Sequence, residues 1–101
     1  MVVCDDADLE LGTIRIRSSG SDGGHRGLRS IIERLGSGSF ARLRIGIGKK
    51  GSLKDHVLKA FDKGEIKKAE EAEERAAEAV LSWLKDGIEK AMNRYNAKSQ
   101  N

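Results

Sequence analysis

Proline is absent from this 101-residue chain, and cysteine occurs once, as Cys4. No linker or repeat divides the sequence, so the length allows one domain, residues 1–101, burying roughly two-thirds of its unfolded surface. One cysteine cannot close an internal disulfide, which fits a reducing compartment. No apolar run approaches the ~20 residues that a membrane span requires. No charged stretch leading into an apolar one opens the chain, so nothing marks it for secretion. The expected location is cytoplasmic or an organelle matrix, with no membrane partner. Two histidines and one cysteine, scattered along the chain, make no metal-ligand set, and no cofactor is expected.

What is present is charge, unevenly placed. The net charge is +3. Residues 15–50 hold nine Arg/Lys against Asp22 and Glu33, whereas residues 51–101 hold ten basic and ten acidic residues. Four acids, Asp5, Asp6, Asp8 and Glu10, cluster near the start. A segregated basic region favours polyanion partners through counterion release.

Periodicity places those charges. In TIRIR (13–17), Ile14 and Ile16 alternate with Arg15 and Arg17; in RLRIGIG (42–48), Leu43, Ile45 and Ile47 alternate with Arg42, Arg44 and Gly46. Period two with one apolar face predicts two half-buried strands whose arginines share the other face. VVC (2–4) reads as a third strand. Between the two longer strands, Leu28, Ile31, Ile32 and Leu35 have the spacing of an amphipathic helix, closed by Gly36. SLKDHVLKAF (52–61) reads as a second helix with Ser52 and Asp55 in a capping-box pattern. A third is expected from Glu65 to about Asn96, on the spacing of Ala77, Val80, Leu84, Ile88, Met92 and Tyr95, with Trp83 beside them. Its Glu/Ala/Lys-rich opening, 67–79, suits a solvated, self-supporting helix. The fold class is α/β, in the order β-β-α-β-α-α.

Two glycine motifs compete for the chemistry. GIGKKG (46–51) is a literal GxGxxG between a strand and a helix, as a dinucleotide fold demands. The second βαβ unit and the acid at a strand end about 20 residues on are missing; Glu70 and Glu71 fall inside a helix. The GK[ST] of a phosphate-binding loop is missing too. Gly46 and Gly48 are better read as small residues where something approaches the strand closely. The stronger motif is GSDGGHRGLRS (20–30). Its glycines can take positive φ and lead into a helix N-terminus, with His25 and Arg26 in the turn beside a sheet that presents Arg17 and Arg44. That combination suits a phosphate or an RNA end.

These residues carry a resemblance. Residues 2–50 are similar to the second half of the bacterial-type peptidyl-tRNA hydrolases. The Asp-Asp-x-Asp-Leu strand end (5–9), the Gly-Gly-His-x-Gly-Leu loop (23–28) and Phe-x-Arg-Leu-Arg-Ile-Gly-Ile-Gly (40–48) agree with that family in order and spacing. WLKDGIEKAMNRYNA (83–97) resembles the family's terminal helix. The resemblance implies hydrolysis of the ester between a peptide and the 3′ end of tRNA, by a histidine general base that an aspartate orients. Asp5 matches that aspartate. His25, Gly23 and Gly24, within a mobile stretch, match the wall of the substrate groove. Arg17 and Arg44 match basic positions set against tRNA phosphates.

The resemblance also has gaps. The family's Gly-x-x-Asn-Pro-Gly strand end, its Arg-His-Asn with the general base, and its Met-Asn-x-Ser-Gly segment are not found here. The chain therefore reads as a half-length form, a three-stranded remnant of a larger mixed sheet with three helices, and it is expected to be inactive alone. Arg26 stands where the family usually has an asparagine that contacts substrate. Ser30–His25–Asp5 and Cys4–His25 pairings can be drawn, but nothing in the spacing favours either. The rival functions are a non-catalytic tRNA- or RNA-binding module and a structural fragment that self-associates. A truncated sheet should bare an edge and the apolar faces of Ile14, Ile16, Leu43, Ile45 and Ile47. The expected partners are therefore tRNA and either a second copy, giving a homo-oligomer, or the missing N-terminal half.

Overall fold

A computed structural model describes residues 1–49 and 61–96. The strands β1 (Val2–Asp6), β2 (Ile14–Arg17) and β3 (Arg42–Gly46) form one mixed sheet in the order β1-β3-β2. β1 runs parallel to β3 and β2 antiparallel to it. Helix α1 (Arg26–Leu35) connects β2 to β3, and α2 (Lys63–Asp86) and α3 (Ile88–Tyr95) follow. The described elements make an α/β fold of three strands and three helices.

The period-two reading of the strands holds at the level of register. Ile14 lies opposite Ile45 and Ile16 opposite Leu43, while Arg15 faces Arg44 and Arg17 faces Arg42. Residues directly opposite share a face of the sheet, so the aliphatic side chains gather on one side and four arginines on the other. Ile14, Ile16 and Leu43 are fully buried in a cluster with Ala72, Ala76 and Ala79 of α2 and Ala91 of α3. Val80, Trp83, Ile88, Met92 and Tyr95 fill its margin. Burial of each of the three large aliphatics contributes about 1.5–3 kcal/mol.

The structure corrects several expectations. The face of α2 that packs on the sheet is the alanine row 72, 76 and 79, inside the stretch expected to be solvated, while Leu84, from the expected apolar series, is 68% exposed. Close approach of helix to sheet explains the choice, because alanine leaves room where leucine would hold the layers apart. The expected single helix over 65–96 is two helices, broken at Gly87 with φ +93. The start of α2 lies at Lys63, where Asp62 and Glu65 form a reciprocal capping box. The helix expected over 52–61 lies outside the described residues except for Phe61. Ile14, Ile16 and Leu43, expected to lose cover, are sealed by α2 and α3; on the sheet it is Val3 of β1, 49% exposed, that is left bare.

The outer edge of β2 is covered at Ile16. Asn96, just past α3, accepts from the Ile16 N–H at 2.7 Å and donates to the Ile16 carbonyl at 2.8 Å. One side-chain amide thus imitates a neighbouring strand. Arg94 ties α3 to α2 through Ser82 at 2.8 Å and Asp86 at 2.7 Å, and this guanidinium holds the Asp86 carboxyl below its ordinary range. Gly36, at φ +73, closes α1 by donating to the Ile32 carbonyl. Among the described residues no helix is long and apolar enough to cross a membrane.

Candidate functional site

The arginine face of the sheet meets the glycine-rich loop that precedes α1. Arg17, Ser19, Gly20, Ser21, Arg42 and Arg44 line a pocket of about 260 Å³. The three guanidinium groups there have different surroundings. Arg17 ends β2 and is exposed. Arg44 is mostly buried, 3.1 Å from Asp6 at the end of β1, and the two side chains are only 20% and 13% exposed. Arg42 is buried, at 1% exposure, and donates to the Ser21 carbonyl at 2.7 Å, to Gly38 at 2.8 Å and to Phe40 at 3.4 Å. It also lies 4.3 Å over the Phe40 ring.

The loop is built around Asp22. Its side chain accepts from the Gly24 N–H at 2.7 Å and lies 3.3 Å from Arg29 Nε. Its carbonyl accepts from the His25 N–H at 2.9 Å. The bond from Gly24, then Arg29, holds the Asp22 carboxyl below its ordinary range. Gly23, at φ +57, is required for a second reason: a Cβ there would lie 2.8 Å from an Arg44 terminal nitrogen. Gly20 approaches Gly38 so closely that a Cβ on Gly38 would strike the Gly20 carbonyl. Gly46 is constrained likewise, since a Cβ would meet the Glu10 carbonyl. The glycine of GIGKKG thus serves strand packing, as its context suggested.

At the end of β1, His25 Nε2 lies 3.6 Å from Asp5 Oδ1. The other ring nitrogen, Nδ1, accepts the Leu28 N–H at 3.1 Å and caps α1. Cys4, opposite Arg44 in the sheet, is half-buried, and burial raises its thiol pKa.

Of the residues chosen from sequence, the structure brings together two groups. Arg17 and Arg44 share the pocket; Asp5 and His25 face each other; Gly23 and the Arg44–Asp6 pair join the two. Gly24, at φ +84, completes the turn. Arg26 sits exposed in the first turn of α1, outside the pocket lining. Sequence reasoning missed Asp6, Asp22 and Arg42 as organisers. For Arg42 the alternation with Arg44 gave the face, and nothing gave the burial. Among the described residues no group of three metal-ligating side chains converges.

Comparison with known proteins is decisive. The profile of the family described as "Peptidyl-tRNA hydrolase" matches residues 1–101. This chain belongs to the peptidyl-tRNA hydrolase family. It is 49% identical to the peptidyl-tRNA hydrolase of Rhodopirellula baltica, over 98% of this chain and 54% of the relative. It is 56% identical to that of Caldanaerobacter subterraneus, over 95% of this chain and 53% of the relative. The crystal structure of peptidyl-tRNA hydrolase from Acinetobacter baumannii superposes with a TM-score of 0.73 at 34% identity, covering 91% of this chain and 48% of that one. The chain therefore spans about half the length of the curated relatives it matches.

Proposed function

We propose that this chain is the C-terminal half of a peptidyl-tRNA hydrolase and holds the part of the site that receives tRNA. The reaction is hydrolysis of the ester between peptide and tRNA 3′ end, in the cytoplasm. The observation that carries this reading is the convergence of Arg17, Arg42 and Arg44 on one pocket, which Gly23 against Arg44 and the Arg44–Asp6 pair tie along the chain to Asp5 and His25. A cationic recess suits a phosphate, and a carboxylate beside it suits the orientation of a base acting on a neighbouring ester. Asp5 orients a general base that these residues do not include; His25, Gly23, Gly24 and Arg26 line the groove; and Arg17 and Arg44 meet phosphates.

The base itself is supplied from outside these residues. His25 has one nitrogen engaged by a backbone N–H and the other turned to Asp5, so it has no free lone pair in reach of water. General-base help is typically worth 10²–10⁴-fold, and the chain alone should fall short by about that factor. The partner that restores it is the N-terminal half, docked on the free edge of β1 beside exposed Val3. The test is hydrolysis of a model peptidyl-tRNA by the chain alone and mixed with an N-terminal half from a relative. Restoration of turnover on mixing is expected. Turnover by the chain alone within about tenfold of a full-length relative, lost in His25→Ala, would overturn the assignment. tRNA binding with no turnover in either case would favour a non-catalytic RNA-binding module.

A further inference from the structure

His25 occupies a position for which its side chain is an odd choice. The N-cap of a helix favours Ser, Thr, Asp or Asn, and any of these would satisfy the first-turn N–H groups of α1. Gly27, in that same first turn, is also a poor helix residue. Both departures have one explanation in the placement of the imidazole. Nδ1 takes the Leu28 N–H at 3.1 Å, and the ring then lies against the backbone of residue 27. A Cβ at Gly27 would sit 2.9 Å from His25 Cε1 and 3.2 Å from Nδ1, so any larger residue would push the ring away. What histidine offers beyond an asparagine cap is the far nitrogen, and that nitrogen points at Asp5, 3.6 Å away.

The cap also fixes where the proton resides. A neutral imidazole has one donor nitrogen and one acceptor. Since Nδ1 accepts from a backbone N–H, the proton must be on Nε2. We infer that His25 is a positioning residue whose helix-capping contact locks the Nε2–H tautomer and aims that N–H at the Asp5 carboxylate. This rests on the reading of Asp5 as the carboxylate that orients the base. The separation of 3.6 Å exceeds a hydrogen bond, but the Asp5 side chain is 68% exposed and needs only a small rotation to close it. Catalytic contacts commonly tighten in this way once substrate is bound. With His25 donating to one oxygen of Asp5, the second oxygen is left for the base. The work of His25 is done through Asp5, and it takes no proton from water.

The test uses the 101-residue chain itself, labelled with ¹⁵N in its histidines, with His56→Gln to assign the two rings. Long-range proton–nitrogen correlations at pH 8 report the tautomer directly. The expected result is a protonated Nε2 and an acceptor Nδ1 in His25. An Nδ1-protonated ring, or a rapidly averaged pair of tautomers, would overturn the inference. His25→Asn separates the two contacts, since its amide oxygen can cap α1 while it lacks the reach to Asp5. The Leu28 amide should remain protected in His25→Asn and lose protection in His25→Ala, while the Asp5 carboxyl ¹³C resonance should move in both. An Asp5 resonance unchanged in His25→Asn would refute the contact. These readouts need no turnover, so they stand or fall separately from the hydrolase reading, which the hydrolysis assays test.

Discussion

Replacement of Arg42 by lysine keeps the charge and removes the geometry, which makes it the sharpest test of how the glycine loop is held. The guanidinium bridges Ser21 before α1 to Gly38 and Phe40 after it, so a single side chain fastens both ends of the connection between β2 and β3. An ammonium can reach one of these carbonyls at a time. The loss is one short charge-assisted bond, worth about 1.5–3 kcal/mol, plus the contact over Phe40, worth about 0.5–1 kcal/mol when exposed and more when buried. Some of this is regained as water enters, so Arg42→Lys should cost about 2 kcal/mol. For a domain whose total stability is about 5–15 kcal/mol, that is a large fraction, and at about 4–8 °C per kcal/mol the midpoint should fall by roughly 8–16 °C. Urea unfolding gives the free energy. Native-state hydrogen exchange at Gly20, whose N–H donates to Gly38 at 3.2 Å, reports the loop. Loss under ~0.5 kcal/mol with Gly20 still protected would refute the reasoning, because the loop would then be held by its own backbone.

Arg17→Ala should weaken tRNA binding and lower the salt slope of log K by about one unit, read by titration at two salt concentrations. Arg44→Ala should do at least as much, because it also bares the Asp6 carboxylate toward the incoming phosphate. Asp22, with its carboxyl pKa lowered in the fold, lends order to the loop that is complete above the unfolded value near ~4 and disappears as pH falls through the lower folded value. The Gly24 amide resonance should therefore hold steady from neutrality down to the unfolded value and shift only below it, with the shift absent in Asp22→Asn. Asn96→Ala strands both the N–H and the carbonyl of buried Ile16 and should cost about 1–3 kcal/mol in urea unfolding.

The strands were legible because alternation is a local signal that a sheet obeys. Ile14, Ile16 and Leu43 face the helices and the arginines face away, as period two demands. The closure of α1 at Gly36 was legible for a similar reason, since an apolar stripe ended at a residue that tolerates the left-handed turn. The long helix was misread because two signals point the same way in sequence and differ in space. Ala72, Ala76 and Ala79 look like solvated helix formers, yet the sheet calls for small residues there; Leu84 looks like core and is exposed. Gly87 was passed over because a lone glycine within helical spacing is usually tolerated; only the packing of α3 back on α2, fixed by Arg94, makes it a corner. Asp6, Asp22 and Arg42 act across loops and strands, and no periodicity encodes that.

The four sheet-face arginines show why charge counts alone misjudge such a site. Arg42 is committed to carbonyl oxygens and its charge is buried. Arg44 is matched by Asp6 and packed under Gly23. Arg17 alone of the pocket's three guanidinium groups belongs to an exposed residue. A phosphate reaching the pocket would find one arginine free to move toward it and two already fixed. Such a site gives up part of its electrostatic attraction, since Asp6 opposes the anion, and gains a preset geometry, since Arg44 need not be ordered on binding.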